Sequence, residues 1–149
     1  MKQIFAKPFL ASLTGATLLA LSVCASARDL VIQVETLQDK SGQVVANLYD
    51  NAAAFRKTPL QQVRLPATQQ NESGEISLVL HDVPAGTFAV MVFHDRNGDG
   101  KLARNFLGIP SEPYGFSGTP TKYGPPNFDE ASFRLFAPSA PVTLTIKLK

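Results

Sequence analysis

Val142-Thr143-Leu144-Thr145-Ile146-Lys147-Leu148-Lys149 decides the fold. Apolar and polar residues alternate here without a break. Successive side chains of a strand point to opposite faces, so this pattern buries one face and wets the other. Leu30, Ile32 and Val34 repeat the alternation against Val31, Gln33 and Glu35. Val44, Ala46 and Leu48 do so against Gln43, Val45 and Asn47, and Ile76, Leu78 and Leu80 continue it. Ala131, Phe133 and Leu135 form a shorter case. Val63 and Leu65, bounded by Pro59 and Pro66, have the look of an edge strand, because proline cannot donate to a ladder.

The punctuation agrees. Asp39-Lys40-Ser41-Gly42, Asn71-Glu72-Ser73-Gly74, Pro84-Ala85-Gly86 and Asn97-Gly98-Asp99-Gly100 are turn sequences. Only Asn51 to Lys57, through Ala52, Ala53, Ala54 and Phe55, suits a helical turn. The expected fold is all-β: a single antiparallel β-sandwich of about seven strands, immunoglobulin-like or transthyretin-like.

The first 27 residues stand apart. Lys2 and Lys7 make a basic leader, an apolar run extends from Phe9 to Val23, and Ala25-Ser26-Ala27 places small residues where a signal peptidase cuts. The run is short for a membrane span, and no later segment is apolar enough to be one. Residues 1–27 are therefore expected to be a signal peptide and residues 28–149 one β-sandwich domain of 149 − 27 = 122 residues. Cys24, the single cysteine, lies inside the leader. Lipidation there is the alternative processing route, disfavoured by the bulky Val23 before it. Export without disulfides points to the periplasm or to secretion.

The formal charge of +2 comes from the leader. Without Lys2 and Lys7, 12 basic residues face 12 acidic ones. No segment clusters Lys or Arg, which argues against nucleic acid or anionic lipid as the main partner.

Chemistry concentrates after the strand ending Val90-Met91-Val92-Phe93. His94-Asp95-Arg96-Asn97-Gly98-Asp99-Gly100-Lys101-Leu102 places oxygens at alternate positions and then a glycine. In a calcium loop of the EF-hand type the first, third and fifth positions give side-chain oxygens, and the seventh gives a carbonyl. Asp95, Asn97, Asp99 and Lys101 are the candidate metal ligands, with calcium as the ion. The ninth and twelfth positions, Ala103 and Phe106, lack the carboxylate that completes such a loop, leaving Glu112, Asp129 or Glu130 to supply one. The competing reading is a tight turn: Asn-Gly and Asp-Gly accept positive φ, with Asp95 and Asn97 bonding backbone amides.

His94-Asp95 and His81-Asp82 look like acid–base pairs, yet neighbours in a strand point apart. No serine or cysteine nucleophile stands in a recognisable setting, so enzyme activity ranks below a binding or structural role. The segment from Gly108 to Glu130 carries five prolines, no periodic run and four aromatics. Long irregular connections in small domains are often functional. Tyr114, Phe116 and Tyr123 are its candidate ligand-binding residues, for a carbohydrate or a peptide; packing onto the sandwich is the alternative for the same rings.

Three stretches together carry a family resemblance: Gly86-Thr87-Phe88-Ala89-Val90, the turn from His94 to Leu102, and Gly108-Ile109-Pro110-Ser111-Glu112-Pro113-Tyr114-Gly115-Phe116-Ser117. With Pro125-Pro126-Asn127-Phe128-Asp129-Glu130-Ala131, they resemble the small exported bacterial proteins grouped as domain of unknown function 2141. The resemblance spans about Asp29 to Lys149. It implies an exported bacterial protein and brings no activity with it. Ala103 departs from the acidic residue usual in that family. The turn also resembles those of transthyretin-like stalk domains of adhesins, some of which bind calcium. The expected function is thus a non-enzymatic envelope module with a binding or structural role. Its alternatives are a weak calcium-dependent binder working through residues 108–130 and, third, a hydrolase.

Overall fold

A computed structural model describes residues 27–118, 124–136 and 141–149. Among the described residues eight strands form: β1 (Arg28–Glu35), β2 (Gln43–Tyr49), β3 (Gln61–Pro66), β4 (Ile76–Val83), β5 (Gly86–Asp95), β6 (Tyr114–Phe116), β7 (Ser132–Leu135) and β8 (Val142–Lys147). They make two sheets. One has the order β4-β1-β8; the other runs β3-β2-β5-β6, with β7 also on β5. The expected all-β sandwich is present. Its strands pair antiparallel except β1 and β8, which run parallel. The strict antiparallel expectation yields there, because alternation fixes which face is buried and says nothing about strand direction.

The alternating residues meet in rows. Leu80, Leu30 and Val142 lie side by side across the smaller sheet, then Leu78, Ile32 and Leu144, then Ile76, Val34 and Ile146. These rows face Val44, Ala46 and Leu48 of β2 and Phe88, Val90 and Val92 of β5 in one core. Burying each such side chain stabilises the fold by roughly 1.5–3 kcal/mol before entropy is counted.

The larger sheet is covered on its outer face as well. Val45 and Tyr49 of β2 and Ala89, Met91 and Phe93 of β5 pack under Phe55, Ala131 and the half-buried Leu102, Tyr114, Phe116 and Phe128. Val45 was expected on a wet face and is fully buried. The reason is the cover: Phe55 arrives on the turn after β2, and the other rings come from the long connection. That turn is helical in its bonding, with Phe55 N donating to Asn51 O and Thr58 N to Ala54 O. Asn51 Oδ1 caps it by accepting from Ala54 N at 2.9 Å.

The proline-rich connection is more regular than its sequence suggests. It contains β6 and a one-turn helix, α1 (Phe128–Ala131). Asn127 and Glu130 form a reciprocal capping box at its start. Tyr123 falls outside the described residues.

Candidate functional site

Two places carry the chemistry: the turn after β5, and the seam where the two sheets meet at β6 and β8.

The turn is organised by Asp95, whose side chain is fully buried. Oδ1 accepts from Gly98 N at 2.8 Å and Asp99 N at 3.1 Å. Oδ2 accepts from Gly100 N at 2.7 Å and from Gln43 Nε2 on β2 at 2.7 Å. A carboxylate has about four acceptor sites, and all are used. Burial pushes the Asp95 carboxyl up, but the Gln43 amide and the three backbone amides together hold it below its ordinary value. Gly98 and Gly100, at φ +76° and +78°, supply the left-handed residues that aim these amides inward.

The other candidate ligands are exposed and bond locally. Asn97 Oδ1 accepts from Asp99 N at 3.0 Å, and Asn97 Nδ2 donates to Asp99 Oδ2 at 3.0 Å. Asp99 Oδ1 accepts from Lys101 N at 2.8 Å. Among the described residues no three His, Cys, Asp or Glu side chains converge as a metal site would need. The hydrogen bonds are those of the tight turn, with Asp95 as its central acceptor. Glu112 does arrive at the turn from the long connection, but its carboxylate also faces amides. Oε1 accepts from Arg96 N and Oε2 from Ala103 N, each at 2.9 Å. It ties the turn to the segment entering β6.

The histidines separate as strand geometry requires. His94 is fully buried on the inner face, with Nε2 donating to the Ser41 carbonyl at 2.8 Å. Nδ1 is buried with no hydrogen-bond partner among the described residues. Asp39 lies 3.8 Å from Nε2 and also pairs with Arg96 Nε at 3.0 Å. The hydroxyl and amide of Ser41 hold the Asp39 carboxyl below its ordinary value against the opposing burial, with lesser help from Arg96 and His94. His81 sits on the surface, 3.0 Å from Asp29 rather than beside Asp82.

The seam is different in kind. Tyr114 N donates to Lys149 O at 3.3 Å and Lys149 N to Tyr114 O at 3.0 Å, joining the edges of the two sheets. Gly115 makes the approach feasible: a Cβ there would stand 2.6 Å from both Ile146 Cγ2 and the Lys147 carbonyl. Beyond this contact the edges part into a cleft of about 490 Å³, lined by Tyr114, Phe116, Pro125, Pro126, Thr145 and Lys147 among others. Among the described residues β8 pairs with β1 alone, so the other row of its backbone groups faces the cleft side.

Tyr114 and Phe116, flagged by the sequence, do come together here, with ring centroids 5.8 Å apart. Both are half-buried. Phe116 also leans on Phe55 at 5.9 Å, so one ring serves packing and cleft wall together. Thr145 and Lys147 were missed as lining residues. They are the wet half of the alternation that defined β8, and β8, unlike β3 with its prolines, carries no edge signal in its own sequence. Ser117 lines the cleft too, but its hydroxyl accepts from Val90 N at 2.7 Å and donates to Ala131 O at 2.6 Å. It is a structural clasp between β5 and α1.

These features define a small β-sandwich protein, welded at a glycine seam and open beside it. The chain belongs to a bacterial family described as uncharacterized protein conserved in bacteria (DUF2141), whose model matches residues 32–143. No curated protein and no solved structure matches the chain.

Proposed function

We propose that the protein is an exported, non-enzymatic binding module of the bacterial envelope, and that the cleft between β6 and β8 holds an extended peptide. The observation that carries this is the position of the cleft along the outer edge of β8. A strand edge recognises an extended chain through backbone hydrogen bonds, and flanking pockets choose its side chains. Tyr114, Phe116, Pro125 and Pro126 offer an apolar wall, and Lys147 a cation, 3.3 Å from Glu35. Export rests on the leader ending Ala25-Ser26-Ala27, and mass spectrometry of the mature protein is expected to find Arg28 at its N-terminus.

The test is selection of peptides from a random library on the immobilised protein, followed by mapping of backbone amide shifts. Selected peptides should perturb β6 and β8, and Thr145→Arg should abolish binding without lowering Tm, since Thr145 is exposed. Peptides that bind elsewhere, or that ignore Thr145→Arg, would remove this reading. Shifts in the same residues with glycans and with no peptide would replace the ligand class.

A further inference from the structure

Three of the most exposed large apolar side chains lie within four residues of one another. Phe106 is 95% exposed, Leu107 67% and Ile109 55%. They crown a short finger, Arg104-Asn105-Phe106-Leu107-Gly108-Ile109-Pro110, closed at its base by an antiparallel bridge between Arg104 and Pro110. Ser111 N donates to Ala103 O just below it, at 2.9 Å.

The finger is internally bonded. Asn105 N donates to Ile109 O and Gly108 N to Asn105 O, each at 2.9 Å. Asn105 Oδ1 accepts from Leu107 N and Ile109 N, each at 3.0 Å. Four of the five amides from Asn105 to Ile109 therefore donate within the finger. Arg104 Nη1 donates to the Gly108 carbonyl at 2.8 Å. Gly108, at φ +77°, turns the chain. Such a tip can leave water without abandoning its backbone hydrogen bonds, which is what excludes ordinary loops from apolar surroundings.

The charges are placed to match. From Arg96 to Pro110 the chain holds Lys101 and Arg104 against one acid, Asp99, while Arg96 is paired with Asp39 at 3.0 Å. Asp99 turns its oxygens onto Lys101 N and Asn97 Nδ2, and the nearby Glu112 is buried on two amides. Lys101 and Arg104 stay exposed, Arg104 against the finger itself and Lys101 three residues before it in the chain. Apolar tip below and cations above is the profile of an element lying in a phospholipid interface, where side chains enter the acyl boundary and cations meet phosphates.

We infer that the Asn105–Ile109 finger is a membrane-interface anchor that inserts Phe106, Leu107 and Ile109 into a phospholipid surface while Lys101 and Arg104 contact the headgroups. Three side chains give weak, reversible attachment. This inference is independent of the peptide cleft.

The chain has no tryptophan, so Phe106→Trp places a single reporter at the tip. The full-length chain is expressed and the purified protein is mixed with phosphatidylethanolamine vesicles, with and without phosphatidylglycerol. The expected result is a blue-shifted emission on vesicle addition, quenching by brominated acyl chains, and stronger binding with phosphatidylglycerol that weakens with salt. The pair Phe106→Ser and Leu107→Ser should lower the vesicle-bound fraction about tenfold or more at unchanged Tm. Lys101→Glu should remove only the phosphatidylglycerol preference. No blue shift with either vesicle, or equal sedimentation of the serine variant, overturns the inference. A blue shift that follows protein concentration without lipid also overturns it, and assigns the finger to a second copy of the chain.

Discussion

Asp95 gives the sharpest test of how the turn is held. Asp95→Asn keeps Oδ1, and with it the bonds from Gly98 N and Asp99 N. It replaces Oδ2 with an NH₂ aimed at two donors, Gly100 N and Gln43 Nε2, both 2.7 Å away. Gln43 can turn its amide to offer oxygen, whereas the backbone amide of Gly100 cannot. A hydrogen bond to a charged group contributes about 1.5–3 kcal/mol, and the opposed donors add to its loss. The variant should therefore lose about 2–4 kcal/mol, a large share of a small domain's stability. Urea unfolding at neutral pH measures it. Because the folded Asp95 carboxyl titrates below its ordinary value of 3.8, its contribution is fully present above that value and is lost as the pH falls below it through the folded value. The gap between wild type and Asp95→Asn should then close in strong acid. Taking the difference removes Asp39, whose depressed carboxyl shifts both proteins alike. Millimolar calcium should leave Tm unmoved, since the acceptor sites of Asp95 are filled. A gap below about 0.5 kcal/mol at neutral pH would refute the reasoning, for a lost charged hydrogen bond cannot be so small. So would a gap that ignores pH, or a calcium-induced rise in Tm that Asp95→Asn abolishes.

Two further substitutions test the packing. Gly115→Ala should cost about 1–3 kcal/mol in urea unfolding, because its Cβ would stand 2.6 Å from Ile146 Cγ2 and from the Lys147 carbonyl; amide exchange at Tyr114 and Lys149 should rise with it. Phe55→Ala should cost about 3–5 kcal/mol, since that ring is buried and meets Tyr49 at 5.3 Å, Phe128 at 5.8 Å and Phe116 at 5.9 Å; unchanged unfolding would mean the outer cover is dispensable.

Most strands were legible because they carry their own alternation: Leu30, Ile32 and Val34, or Val142, Leu144 and Ile146, need no partner to declare a face. What lay beyond reach was pairing. The parallel contact of β1 with β8 depends on where the chain has travelled in between. The second layer over β2 and β5 was half legible. Phe88-Ala89-Val90-Met91-Val92-Phe93 is apolar without interruption, as a strand covered on both faces should be. Val45 gave no such warning, being set between Val44 and Ala46 in an ordinary alternating frame. Asn127 and Glu130 carried the helix signature three residues apart, hidden among prolines. At the site, the Asp-Asn-Asp spacing suits a turn and a cation alike. The fourth hydrogen bond to Asp95 lay out of reach, because Gln43 is 52 positions away in sequence and meets Asp95 only across the β2–β5 ladder.

The parallel pairing has a consequence for how the molecule is made. β1 is the middle strand of its sheet, flanked by β4 and β8. Leu30 meets Leu80 on one side and Val142 on the other. A ribosome delivers β1 before β8, with the other strands of the sandwich in between, so through their synthesis β1 has at best one neighbour. Its other side stays an open edge until β8 emerges. Ordering contacts this distant in sequence slows folding, and an open edge invites pairing with other chains. A nascent or truncated chain lacking β8 is therefore the form most prone to aggregate, and β8 acts as the latch of the sandwich.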